Sequence, residues 1–108
     1  MHIQVSRKFT FDAAHHLTRY HGKCERPHGH TYALKVTIEG PVQDNGLVVD
    51  FVLLKHIIES EILSKLDHQD LNTIFENPTA ELIAQWVFEK LKNFAQLAEQ
   101  KMNEESYR

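Results

Sequence analysis

At 108 residues the chain has the size of one small domain, and its 42% hydrophobic and 25% charged residues sit near the globular averages of roughly 45–50% and about 25%, which excludes a disordered or fibrous protein. Twelve Lys and Arg against fifteen Asp and Glu leave a formal charge of −3, which argues against a surface for duplex nucleic acid or anionic lipid. The longest apolar run, Phe51 to Leu54, is far short of the ~20 residues of a membrane helix, and the amino terminus lacks the apolar core of a signal peptide, so a soluble, cytoplasmic protein is expected.

Ile3, Val5, Phe9 and Phe11 alternate with polar residues, the period of a half-buried strand, although Arg7 interrupts the apolar face. Tyr32, Leu34, Val36 and Ile38 repeat the pattern, with a long polar loop between the two strands. Gly40, Pro41, Asp44, Asn45 and Gly46 make a turn cluster, and Leu47 to Val49 can add a short strand. Asp50 is placed to cap a helix carrying Phe51, Leu54, Ile58 and Ile62 that ends near Leu66. Asn77 and Pro78 read as cap and first residue of a second helix, whose stripe of Ala80, Ile83, Ala84, Val87, Phe88, Leu91 and Phe94 is continuous. Beyond Leu97 the chain turns polar, and Lys101 to Arg108 reads as a short strand or a frayed tail. The expected fold is a single α+β domain over residues 1–108, with two helices on one face of an antiparallel sheet. So small a sheet has edges that an oligomer can pair.

Histidine is the compositional outlier. Of eight in the chain, five (His15, His16, His21, His28 and His30) lie close together. His28 and His30 are one residue apart, so in a strand their rings project to one side. His15 can add a third nitrogen if the first strand runs beside the second. Three neutral imidazoles leave a tetrahedral zinc with one open position, the catalytic arrangement, and imidazole favours zinc over magnesium or calcium. The competing reading is a set of solvated loop histidines, because an H-x-H pair is by itself weak.

Cys24, the single cysteine, cannot form an internal disulfide. It reads as a fourth zinc ligand that closes the site, as a thiolate that moves protons, or as a small buried hydrophobe; its charged neighbours Lys23, Glu25 and Arg26 tell against burial and favour the thiolate. Asp67 and His68 follow the first helix and read either as its C-terminal cap or as a carboxylate that fixes a histidine tautomer for proton transfer.

The segments FDAAHHL (Phe11 to Leu17), KCERPHGHTY (Lys23 to Tyr32), VVDFVLLK (Val48 to Lys55), LDHQDLN (Leu66 to Asn72) and ENPTAELIAQW (Glu76 to Trp86), in that order, resemble the 6-pyruvoyltetrahydropterin synthase superfamily, and within it the bacterial 6-carboxytetrahydropterin synthases of queuosine biosynthesis. The resemblance implies a zinc held by His15, His28 and His30, with Cys24 as proton acceptor and Asp67 and His68 as its relay. It implies a substrate, 7,8-dihydroneopterin triphosphate, bound between subunits of a homo-oligomer, a trimer or a hexamer of two stacked trimers whose sheets join into a barrel. Triphosphate is then eliminated and a two-carbon fragment leaves as acetaldehyde. A pyruvoyltetrahydropterin synthase, which stops at triphosphate elimination, and a pterin- and zinc-binding module of weakened turnover are the alternatives.

Three residues separate Cys24 from the His28-Gly29-His30 triplet, as in the carboxy branch, whereas the pyruvoyl enzymes carry a longer interval. Retention of Cys24 also differs from the branch that has a glutamate there and acts as an aldolase. Thr79 and Ala80 match the segment whose backbone meets the pterin edge, although Thr79 reads equally as a helix cap. The family's pterin-anchoring glutamate, which also joins the proton relay, falls at Glu105, with Glu104 one residue away, and the resemblance weakens there toward a last strand that is short or absent. Arg19, Lys23 and Arg26 are candidate cations for the triphosphate, and the sequence does not choose among them. Four further histidines, His2, His16, His21 and His56, are expected in solvent, with His16 or His21 able to replace a ligand.

Overall fold

The computed structural model describes residues 1–18 and 28–103. Two strands, β1 (His2–His15) and β2 (His28–Pro41), pair antiparallel in unbroken register, from His2 opposite Pro41 to His15 opposite His28. Their alternation explains the sheet's two faces. Phe9, Phe11, Ala13 and Val36 are buried on one, with Val5, Tyr32, Leu34 and Ile38 half-buried beside them, whereas Ser6, Lys8, Thr10, Lys35 and Thr37 are exposed on the other. Both strands run further into the histidine segments than side-chain pattern suggests, because each supplies the other's backbone hydrogen bonds there. Arg7 stays on the core side by donating to the Phe51 carbonyl at 2.8 Å and lying 5.4 Å over the Phe9 ring, so its stem packs while its charge is met.

A third strand, β3 (Gln69–Asp70), runs parallel to β1, with Ala13 opposite Gln69 and Ala14 opposite Asp70. The order is β2-β1-β3, so the sheet is mixed rather than antiparallel throughout. Two residues are too few for periodicity to register. Leu47 to Val49 does not form the expected strand. The Gln43 amide donates to the Leu47 carbonyl and its side chain to the Val48 carbonyl, both at 2.9 Å, so those acceptors close a loop.

The first helix begins where expected. Asp50 accepts from the Val52 amide at 2.8 Å and caps α1 (Phe51–Ile58). The helical path continues through a π-helical turn, Glu59–Leu63, into the short α2 (Ser64–Leu66). Leu54, Ile58, Ile62 and Leu66 are all fully buried. Residues four apart drift by about 40° around an ideal α-helix, and the wider π turn takes up that drift, so one face stays on the core.

The second long helix, α3 (Ala80–Leu91), starts two residues later than Asn77 and Pro78 suggest. Thr79 is extended, and its hydroxyl accepts from the Leu82 amide at 3.1 Å, while the Asn77 side chain is engaged by the Thr18 amide. The apolar stripe to Phe94 is not one helix: Lys92 and Asn93 turn the chain, and Phe94 opens α4 (Phe94–Met102), in keeping with the preference of Asn for turns. This helix, packed on α1, is one more than the two expected; it takes in Lys101 and Met102 of the segment read as a short strand or frayed tail, most of which, residues 104–108, lies outside the described residues. No helix among the described residues is long and apolar enough to cross a membrane.

Candidate metal centre

The register of β1 and β2 builds the site. His15 and His28 are partners and His30 lies two residues further along β2, opposite Ala13, so all three side chains leave the sheet on its core face. Their ring centroids are 4.6 Å (His15 and His28), 4.9 Å (His15 and His30) and 4.4 Å (His28 and His30) apart, with the planes near perpendicular. One ring nitrogen of each lies within 4.8 Å of the others. Two nitrogens on one tetrahedral zinc, each at about 2.0–2.1 Å, are about 3.3 Å apart; His15 Nε2 and His28 Nε2 are 3.0 Å apart.

His15 is the buried member. Its Nδ1 lies 2.9 Å from the Pro78 carbonyl oxygen and 2.8 Å from the Tyr32 hydroxyl. A carbonyl only accepts, so Nδ1 carries the proton and Nε2 presents a lone pair to the cluster. Burial lowers the His15 pKa; the Pro78 contact opposes this, and the neighbouring imidazoles His28, His30 and His16 add to it. The neutral ring is the form that binds metal. Tyr32 is itself held by stacking on Phe11 at 4.9 Å, and burial raises its phenol pKa, which keeps it a neutral hydroxyl. Nitrogens as close as those of His15 and His28 share either a proton, in a hydrogen bond between neutral rings, or a cation. A donor set of three imidazoles fits a divalent transition metal, zinc foremost.

Asp67 and His68 are docked on β1. Asp67 occupies the C-cap position of α2, but its carboxylate turns away from the helix: Oδ1 accepts from the Asp12 amide at 3.0 Å, and Oδ2 lies 3.0 Å from His68 Nδ1. The His68 amide donates in return to the Asp12 carbonyl at 2.6 Å. The Asp12 amide, and then the His68 ring, hold the Asp67 carboxyl below the usual carboxylate range. His68 has φ 58°, the left-handed region that side chains other than glycine's rarely adopt, and its exposed ring lines an open cleft of ≈ 550 Å³ together with Asp12, His30, Thr31 and Asp70. Of the metal-ligand candidates only His30 borders this cleft; His15, His28 and Asp67 do not line it.

Thr79 and Ala80 begin α3 directly after Pro78, which sets them beside His15. Cys24, Glu104, Glu105, Arg19, Lys23, Arg26 and His21 lie outside the described residues. His16 is half-buried rather than in solvent, and its ring lies 3.4 Å from the Asn72 side chain, apart from the three-histidine cluster. Reading by residue type missed Pro78, Tyr32 and Asp12, because two of them act through backbone atoms and Tyr32 sits in a strand pattern that already accounts for it as core.

These features define an α+β protein with three imidazoles at the end of a two-stranded ladder that could hold a metal ion, and a carboxylate–imidazole pair docked on the same first strand. The family profile for 6-pyruvoyl tetrahydropterin synthase matches residues 4–106, and the chain belongs to that family. Similar curated proteins include a dihydroneopterin monophosphate aldolase of Pyrococcus furiosus, 38% identical over 92 residues that cover 85% of this chain and 77% of that one. Another is a 6-carboxy-5,6,7,8-tetrahydropterin synthase of Haemophilus influenzae, 37% identical over an alignment of 122 positions covering 89% and 86%. Among solved structures, the Caenorhabditis elegans 6-pyruvoyl tetrahydropterin synthase superposes with a TM-score of 0.76 at 31% identity, covering 86% of this chain and 79% of that one.

Proposed function

We propose that the protein is a zinc-dependent carbon–carbon lyase that converts 7,8-dihydroneopterin triphosphate and one water to 6-carboxy-5,6,7,8-tetrahydropterin, acetaldehyde and triphosphate, a step of queuosine biosynthesis. The observation that carries the reading is the convergence of His15, His28 and His30 with the His15 tautomer set by Pro78, in a chain similar to proteins named for this reaction. When bound there, zinc polarises a hydroxyl of the substrate side chain and lowers its pKa.

Asp67, as a carboxylate, only accepts, so His68 keeps its proton on Nδ1 and exchanges protons through Nε2. Cys24 is the proton acceptor on the side-chain carbons in this reading, with His68 and Asp67 as relay. Glu105 anchors the pterin ring and joins the relay, and Thr79 and Ala80 meet the pterin edge from a neighbouring subunit. The proposed assembly is a trimer or hexamer in which free sheet edges pair and the sheets close into a barrel; among the described residues the outer edge of β2 has no strand beside it.

The test is to incubate the zinc-loaded protein with 7,8-dihydroneopterin triphosphate and measure both small products. Equal amounts of triphosphate and acetaldehyde are expected. Triphosphate without acetaldehyde would instead assign the pyruvoyl reaction, to which the Caenorhabditis likeness points. A second reading, aldol cleavage of dihydroneopterin monophosphate, is favoured by the Pyrococcus relative. Its signature is a two-carbon aldehyde that keeps the phosphate, formed from the monophosphate with no acetaldehyde. Cys24 supports the first reading over this one.

A further inference from the structure

We propose that Asn72 is a positioning residue of the metal centre, its side-chain amide standing in for a missing rung of the sheet and fixing the backbone that carries His15. The inference rests on the reading of His15, His28 and His30 as metal ligands. β3 pairs with β1 only at Ala13 and Ala14. Past Asp70 the chain coils into a 3-10 turn, Leu71–Thr73, because the Asp70 carboxylate accepts from the Asn72 amide at 3.1 Å and the Asp70 carbonyl accepts from the Thr73 hydroxyl at 2.7 Å. The neighbouring backbone therefore leaves β1 just before the ligand.

Asn72 fills that gap. Its Oδ1 accepts from the His16 amide at 2.9 Å, and its Nδ2 donates to the His16 carbonyl at 3.1 Å. A carboxamide carries one acceptor and one donor in a plane, as a peptide group does, so a single side chain meets both backbone groups of His16. The assignment of its two ends is forced, since an amide N–H only donates and a carbonyl only accepts. His15 is thus held from three directions: by the ladder at His28, by Pro78 and Tyr32 at its ring, and by Asn72 at the peptide that follows it. No other residue type of this size supplies both contacts, since Asp lacks the donor and Leu lacks both.

The test compares zinc affinity, by competition with a chelator, and the absorption of bound cobalt(II), in the wild-type full chain, Asn72→Ala and Ser6→Ala. Ser6 makes its own hydrogen bond to Thr37 at the far end of the same ladder, at 2.8 Å, so it controls for a general loss of strand stability. Asn72→Ala is expected to weaken zinc binding by about 10- to 100-fold, the usual cost of an outer-shell partner, and to alter the cobalt spectrum, while Ser6→Ala stays within about twofold. Affinity unchanged in Asn72→Ala, or lowered equally in both variants, would overturn the role of Asn72 while leaving the metal centre standing. A wild-type protein that binds no zinc would overturn the metal centre and the inference with it. If Asn72→Ala does not fold, the His16 amide of the metal-free wild type decides: slow hydrogen exchange supports the clamp, and exchange at the rate of an open peptide defeats it.

Discussion

The ring of His15 and the backbone of Pro78, 63 residues apart in the chain, meet at 2.9 Å between Nδ1 and the carbonyl oxygen. This contact decides which nitrogen of the buried imidazole faces His28, and it ties the end of β1 to the segment that starts α3. The three-histidine site is therefore a tertiary feature as much as a strand feature, and its parts should fail in a graded order.

His15→Ala removes a ligand, whereas Tyr32→Phe removes only the hydroxyl 2.8 Å from Nδ1 and keeps the stack on Phe11. Tyr32→Phe is expected to lower zinc affinity by about tenfold, near the lower end for an outer-shell partner, and His15→Ala by considerably more. Adding zinc at about 100 times its dissociation constant should stabilise the wild type by about 2.7 kcal/mol, and His15→Ala far less. Chelator competition and thermal melts with and without zinc check both.

Asp67 gives a pH prediction whose sign follows from its lowered pKa. The unfolded chain takes up the proton more readily than the folded one, so the contribution is fully present above the ordinary value of 3.8 and is lost as pH falls through the lower folded value. Urea midpoints measured from pH 7 down to pH 3 should show the wild type above Asp67→Asn at neutral pH, with the gap closing only at the acid end. A gap that closed near pH 6 would contradict the assignment.

His68 is held at φ 58°, where a Cβ costs roughly 1–2 kcal/mol and glycine is free of the cost. His68→Gly is therefore expected to exceed His68→Ala in unfolding free energy by about 1 kcal/mol, since both lose the contact with Asp67 but only the alanine keeps the strain. Equilibrium urea denaturation of the two variants measures it. Both variants should lose turnover of the proposed substrate, because neither can exchange a proton in the cleft.

Ile62 lies in the π-helical turn and is fully buried. Ile62→Ala should cost about 2–5 kcal/mol, as deletions from a packed core do. Chemical denaturation would read the loss, and a cost below about 1 kcal/mol would show that the π turn relaxes to refill the space.

Alternation in Ile3 to Phe11 and in Tyr32 to Ile38, the Asp50 cap and the periodic leucines and isoleucines were legible as two strands and a helix, because each pattern is repeated over several residues. The H-x-H spacing likewise told that His28 and His30 share a side. β3 was not legible, since two residues show no period and their pairing depends on where α2 delivers the chain. The start of α3 was misplaced because Asn77 and Thr79 are both good caps, and the choice fell to Thr79 once the Asn77 side chain was engaged by Thr18. The break at Asn93 was hidden by apolar residues that continue on both sides of it.

By itself the sequence determined which residues are available for chemistry and which faces of the long elements are apolar, because side-chain type and period are local properties. Only the tertiary structure decided that His15 stands opposite His28, that Pro78 sets its tautomer, and that Asp12 grips both Asp67 and His68. Those are relations of register and of backbone carbonyls and amides, which nearly all residues carry alike and no residue type announces.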